Sequence, residues 1–187
     1  MPSEKPQSYC RKCAALPPDS TDLNKHYHDR VYGFPVEDDN ALFERLVLEI
    51  NQAGLNWTLI LNKQKAFQTA FCGFDIAKVA AFDENDIARL LTDKNIVRNR
   101  LKINAAIYNA RKILEIRAQY GSFKNWLDSH APQNKEAWVK LFKKTFKFTG
   151  GEITGEFLMS TGYLDGAHDE DCPTYAEILR LKRWVKA

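Results

Sequence analysis

At 187 residues with a net charge of +3, the chain suits one domain with a sizeable core. Its 44% hydrophobic and 27% charged residues fit a soluble globular protein, and no apolar run approaches the roughly 20 residues needed to cross a bilayer. Cys10, Cys13, Cys72 and Cys172 are too few for a secreted disulfide framework, and the opening MPSEKPQS holds neither an apolar signal nor a twin arginine, so an intracellular, cytoplasmic location is expected.

Residues 1–20 contain prolines and serines and read as extended. YHDRVYGFPVEDDN reads as an irregular loop, with Asp38 or Asp39 as the N-cap of a helix over 40–53. In that helix Leu42, Phe43, Leu46, Val47, Ile50 and Ala53 recur at helical spacing. Glu49 falls one turn from Leu46, on the edge of the apolar stripe, whereas Glu44 points away. A carboxylate facing inward is costly unless something holds it. Gly54 then stops the helix, Leu55 forms an apolar tip, and Asn56 caps a second helix beginning at Trp57.

The second helix is expected over 57–71, with shorter ones at 76–81 and, capped by Asp83, at 84–92. The longest spans 97–120 with Leu101, Ile103, Ala106, Ile107, Ala110, Ile113 and Leu114 on its apolar side, ending at Gly121. Helices over 122–129 and 134–144 lead into TFKFTGG, followed by helices over 152–161 and 173–185, the last with Pro173 in its first turn. The expected fold is all-α, a single domain over 1–187.

Basic residues dominate 94–117 and 135–147, and acids dominate 152–171, so a polyanion would meet one side of the protein. Charge blocks alone are usually only solvated faces. The turn Phe146-Lys147-Phe148-Thr149-Gly150-Gly151, preceded by Lys143 and Lys144, is more specific. Its two glycines permit unusual backbone conformations, Phe146 and Phe148 would anchor it in the core, and free N–H groups at the next helix would face a phosphate. This is the chemistry of a helix-hairpin-helix over 134–161, which grips the sugar-phosphate track without reading sequence. A second constellation joins His168 and Cys172, four residues apart, with His28 and an N-terminal Cys. Together they would complete a Cys₂His₂ zinc site that is structural because it leaves no open position.

YHDRVYGFP, LFERLVLEINQAGLNWTLILNK, FDIAKVAAF, NIVRNRLKINAAIYNARKI, FKFTGG and HDEDC, in that order from about residue 27 to 172, resemble the DNA-3-methyladenine glycosylase I family. The resemblance implies a helix-hairpin-helix glycosylase that excises 3-methyladenine from double-stranded, alkylated DNA. It implies Glu49 as the catalytic acid at the base edge, Tyr27 and Trp57 as the base-stacking walls, and Leu55 on Gly54 as the wedge. Lys143, Lys144, Lys147, Thr149, Gly150 and Gly151 would hold the DNA backbone. Zinc would be held by Cys10, His28, His168 and Cys172, with Cys13 as the alternative to Cys10. Two departures stand out: family members commonly carry Trp two residues after the first Cys, where Cys10-Arg11-Lys12 has no aromatic, and Tyr32 replaces a Trp.

Because N3-methylated adenine is cationic and its glycosidic bond already labile, little acid–base power is demanded of the protein. No lysine is assigned as a Schiff-base former, and Asp165 and Asp169 are not assigned as a base, so a monofunctional, monomeric hydrolase is expected. The competing reading is a non-catalytic, structure-sensing helix-hairpin-helix DNA-binding protein. A third is a zinc-stapled interaction module.

Overall fold

The computed structural model describes residues 8–181. Among these residues it is all-helical, with no strand. The helices are α1 (Tyr9–Ala14), α2 (Leu23–Arg30), α3 (Asp39–Gln52), α4 (Trp57–Ala70), α5 (Ile76–Ala80), α6 (Glu84–Thr92), α7 (Arg100–Tyr120), α8 (Phe123–His130), α9 (Lys135–Thr145), α10 (Gly151–Ser160) and α11 (Pro173–Leu181). A 3₁₀ turn, Cys72–Phe74, joins α4 to α5. Residues 1–7 and the end of the helix expected over 173–185 lie outside the described residues. No described helix is long and apolar enough to cross a membrane.

Two expectations about the N-terminal part are corrected. Residues 9–14 are helical rather than extended, and YHDR closes helix α2 rather than belonging to a loop. Both helices are short and begin at side-chain caps, Ser8 accepting from the Arg11 N–H and Asp22 from the Asn24 and Lys25 N–H groups. Apolar periodicity cannot register over so few residues. The caps were the available signal.

α3 is the axis of the molecule. Asp38, rather than Asp39, caps it by accepting from the Ala41 N–H at 2.8 Å. Leu42, Phe43, Leu46, Val47 and Ile50 are fully buried, and so is Leu48 on the other side, because α4, α7, α8 and α10 pack around it. Asp39 is freed for another task. Its carboxylate accepts from Arg117 Nε at 2.7 Å and from the Phe123 and Lys124 N–H groups at 2.9 Å each, locking the α7–α8 corner onto the start of α3.

α7 ties the molecule together through its polar side chains. Leu101, expected in the core, is 69% exposed, whereas Lys102, expected on a basic face, is 5% exposed. The Lys102 ammonium is drawn inward by the carbonyl end of α3, donating to Asn51 O at 2.9 Å and Ala53 O at 2.7 Å. Arg111 serves α5 in the same way, donating to Ala80 O and Phe82 O. Part of the basic 94–117 segment is therefore internal scaffolding rather than a surface for a polyanion.

Farther along α7, fully buried Asn109 grips the turn between α9 and α10. Its Nδ2 donates to Lys147 O at 3.1 Å and its Oδ1 accepts from the Lys147 N–H at 2.8 Å. Asn109→Ala strands both backbone groups, so unfolding free energy should fall by about 1–3 kcal/mol in a urea titration with an unchanged slope. Asn109→Asp should also destabilise, because it keeps an acceptor and loses the donor.

Candidate active site

Five helices converge on a cavity of about 500 Å³ beside the C-terminal end of α3, within the roughly 300–1,000 Å³ typical of small-molecule pockets. α3 contributes Glu49 and Gln52, α2 contributes Tyr27, α4 contributes Trp57, and α10 contributes Glu152 and Glu156. Tyr32 and Tyr9 complete the wall. The Tyr27 ring packs on Trp57 at 5.0 Å and on Tyr32 at 5.6 Å, and Tyr9 meets Tyr32 edge-on at 5.9 Å. The Trp57 indole N–H has no acceptor among the described residues.

The pocket is apolar at its sides and acidic within. Glu49 is 4% exposed. Burial, together with repulsion from Glu156, pushes its carboxyl up to about 8, against the pull of Arg45. In the empty pocket at neutral pH it is therefore held mainly as the neutral acid, ready to ionise if a cation arrives. Arg45 sits behind the wall, donating to Tyr27 Oη at 3.0 Å and Ser160 O at 3.3 Å with its guanidinium over the Tyr27 ring.

At the rim, Gly54 adopts φ +80° with open space around it, so backbone conformation rather than crowding calls for glycine. The Leu55 N–H donates to Gln52 O at 2.7 Å, and Gln52 Nε2 donates back to Leu55 O at 3.0 Å. This leaves the Leu55 side chain 37% exposed beside the pocket mouth.

The α9–α10 turn differs from expectation in three ways. Phe146 is buried, but Phe148 is 39% exposed, and Phe148, not a glycine, holds the left-handed backbone at φ +60°. A methyl group added to Gly150 or Gly151 would meet nothing within 4 Å, so what these glycines contribute is room for close approach to the backbone. The buried Thr149 hydroxyl donates to Phe142 O or Phe146 O, which leaves it turned inward. Lys143, Lys144 and Lys147 are exposed, and no described side chain caps the start of α10.

Cys10, His28, His168 and Cys172 offer ligand atoms all within 4.8 Å of one another. Their separations are 3.1 Å for His28 Nε2 to His168 Nδ1, 3.6 Å for Cys10 Sγ to His168 Nδ1, and 3.7 Å from Cys172 Sγ to each imidazole. These match the edges of a tetrahedron with metal–nitrogen bonds near 2.0–2.1 Å and metal–sulfur bonds near 2.3 Å. The outer contacts agree: His28 Nδ1 meets Asp29 at 2.7 Å, His168 Nε2 meets Tyr32 O at 2.8 Å, and the Asp169 N–H donates to Cys10 Sγ at 3.3 Å. Burial pushes the Cys10 thiol up and the His168 imidazole down, so thiolate at this place calls for a cation. The group could hold a metal ion. Cys13 stands apart, its thiol directed at Asn24 O.

The sequence and the fold both have known counterparts. A model of the methyladenine glycosylase family matches residues 18–140. The DNA-3-methyladenine glycosylase 1 of Escherichia coli (strain K12) is 35% identical over 168 residues, spanning 80% of this chain and 89% of the relative. The DNA-3-methyladenine glycosylase of Haemophilus influenzae is 31% identical over 166 residues, spanning 79% of this chain and 89% of that one. The chain belongs to the methyladenine glycosylase family. A crystal structure of a 3-methyladenine DNA glycosylase I variant in complex with 3-methyladenine superimposes with a TM-score of 0.75 at 35% identity, covering 83% of this chain and 94% of that one. A structure of the Staphylococcus aureus 3-methyladenine DNA glycosylase I gives 0.75 at 34% identity, covering 89% and 97%.

Against the family pattern, the cavity wall answers one departure. Tyr9, one residue before Cys10 rather than two after it, supplies an aromatic from the N-terminal segment. Sequence reasoning also missed Glu156, Glu152 and Gln52. For Glu156, the recoverable signal was its place one turn after Glu152 on a helix whose other positions are mostly buried.

Cys172→Ala and Cys10→Ala should each lower metal content measured by mass spectrometry well below one per chain, while Cys13→Ala should leave it unchanged. For Glu49, the unfolded carboxyl gives up its proton near the ordinary value of 4.5 and the folded one near 8. Over that window the native state keeps a proton that the unfolded state has lost, so stability falls as pH rises and the penalty is complete above about 8. Glu49→Gln escapes the penalty. Its Tm should exceed wild type at pH 9 by several degrees, at about 2–4 °C per kcal/mol for this size, with the gain shrinking towards pH 5.

Proposed function

We propose that this protein flips 3-methyladenine out of alkylated double-stranded DNA and hydrolyses its N-glycosidic bond, acting as a monofunctional, monomeric DNA glycosylase. The observation that carries the reading is a buried acid, Glu49, in an aromatic-walled cavity whose lining residues Gln52 and Trp57 flank, in the chain, an exposed leucine on a glycine turn. The complex of a related glycosylase with 3-methyladenine supports the choice of base.

A base inside a duplex is out of reach, so it must be extruded at a cost of a few kcal/mol in lost stacking. Leu55 fills the vacated space and offsets part of that cost. Tyr27, Trp57 and Tyr9 receive the base, offering stacking and cation–π attraction to its positive charge. As the cation enters, Glu49 ionises, releases its proton to solvent and accepts from the exocyclic amine. No proton need be delivered to the leaving group. The glycosidic bond breaks with its electron pair going to the departing nitrogen, the base leaves neutral, and water adds to C1′ while losing a proton.

Lys143, Lys144 and Lys147, with the uncapped N–H groups at the start of α10 and the backbone at Thr149, Gly150 and Gly151, hold the sugar-phosphate chain as a helix-hairpin-helix. Cys10, His28, His168 and Cys172 would hold a zinc ion, as their two thiols and two imidazoles suit it. With four protein ligands such an ion would supply structure rather than a reacting position. The non-catalytic alternative rested mainly on the aromatic missing after Cys10, and Tyr9 occupies that wall.

Wild type should release free 3-methyladenine from methylated duplex DNA, and Glu49→Gln should lower kcat/KM about 100-fold. Activity that survives the substitution would move the chemistry elsewhere, and absence of release by folded, zinc-loaded wild type would favour the binding module. Because Glu49 must ionise, wild-type kcat/KM should climb from pH 6 to a plateau above about 8, and the variant should lack that climb. Borohydride should trap no covalent protein–DNA adduct.

A further inference from the structure

Building on the base-pocket reading, we propose that Glu156 is a second specificity-determining carboxylate, and that with Glu49 it makes the cavity a receptor for cationic purines over neutral ones. Glu156 lies on α10, far from Glu49 in the chain, yet both line the same cavity. Glu156 is partly exposed and accepts from the Tyr32 hydroxyl at 3.1 Å. That bond fixes the carboxylate at the wall formed by Tyr27 and Tyr32.

Around Glu49 the two carboxylates are opposed by Arg45, which pulls the Glu49 carboxyl down against burial and Glu156. From α3 itself Arg45 faces it, but that guanidinium is committed to Tyr27 Oη and Ser160 O behind the wall. α2 presents Tyr27, the following loop Tyr32 and α1 Tyr9, all three phenols held neutral by burial, which pushes them up. α10 presents Glu156 and, farther out, the exposed Glu152, which pairs with Lys135 at 3.7 Å. Among the described residues, no lysine or arginine lines the cavity. In the empty cavity the nearby Glu156 carboxylate disfavours a second negative charge at Glu49 and adds to the upward push on it. A bound cation relieves that repulsion and a neutral base does not. The preference is thus built into the empty site.

The experiment is calorimetric binding of 3,9-dimethyladeninium, a permanently cationic stand-in for the methylated base, and of neutral 9-methyladenine. It is run at pH 9, where Glu49 in wild type is mostly ionised, so that the lost Glu156 charge is read with little contribution from Glu49's proton. Glu156→Gln should weaken the cation roughly tenfold and leave the neutral base within about twofold. The pH at which cation affinity reaches half its plateau should also move below that of wild type, because Glu49 no longer ionises against a second negative charge. Tyr32→Phe, which frees Glu156 from its tether, should lose cation affinity in the same direction but to a smaller extent. It carries the test if Glu156→Gln fails to fold.

Equal loss for both ligands, or an unchanged cation affinity and pH midpoint, would overturn the assignment while leaving the base pocket intact. Failure of wild type to bind the cation would overturn the base pocket along with it.

Discussion

The structure turns on a carboxylate kept dry at the end of its most buried helix. A lone acid at such a place is unfavourable by several kcal/mol unless it is neutral or paired, and Glu49 is held in the neutral form by burial and by Glu156. Everything near it serves to keep that end of α3 in place. Lys102 takes the last carbonyls of the helix, Gly54 turns the chain through a left-handed residue, and Asn56 restarts it by accepting from the Leu59 N–H. Tyr27 and Trp57 wall the cavity that Glu49 lines. A neutral core residue at 49 would make a more stable protein with nothing to offer a cation.

The same few residues couple the pocket to the surface proposed to meet DNA. α7 is the ruler. Lys102 holds the Leu55 turn from below, and Asn109, two turns farther on, holds the backbone of Lys147 in the α9–α10 turn. The Lys102 ammonium also lies 5.9 Å from the Phe148 ring. The Gly54–Leu55 turn and the α9–α10 turn are therefore referenced to one rigid helix, fixing the distance between the pocket and the surface proposed to meet phosphate. Extrusion of a base demands such a fixed distance, since a small misplacement of the reacting groups is costly.

Much of this was legible in the sequence where periodicity is long. α3, α4 and α7 were placed within a few residues, and the inward side of Glu49 followed from its spacing to Leu46 and Leu42. Gly54 lies just past the end of α3, where the helix was expected to stop, and the structure gives it φ +80°. Side-chain direction failed where a polar group had a distant partner. Lys102 and Leu101 exchange their expected faces because the carbonyls of α3 attract the ammonium, and no local pattern encodes that. Phe148 carries the strain expected of Gly150 and Gly151 for a similar reason: Asn109 and Thr149 fix the turn from both sides. α1 and α2 are too short to show a stripe, and Glu156 and Tyr9 belong to the pocket only through the tertiary fold.

The metal-ligand cluster and the pocket share a wall. Cys10 is the residue after Tyr9, His28 the residue after Tyr27, and His168 Nε2 bonds the carbonyl of Tyr32. All three tyrosines of the cavity are thus set by residues that converge on the cluster. Ser8 adds a hydrogen bond to Asp169 at 2.5 Å across the same junction. α1 is only six residues long, and a free helix of that length has no stability of its own. An ion held by these four side chains would give the N-terminal segment a fixed position that six helical residues alone do not. Because the cluster and the pocket share these tyrosines, an ion bound there would help to set where the aromatic rings stand.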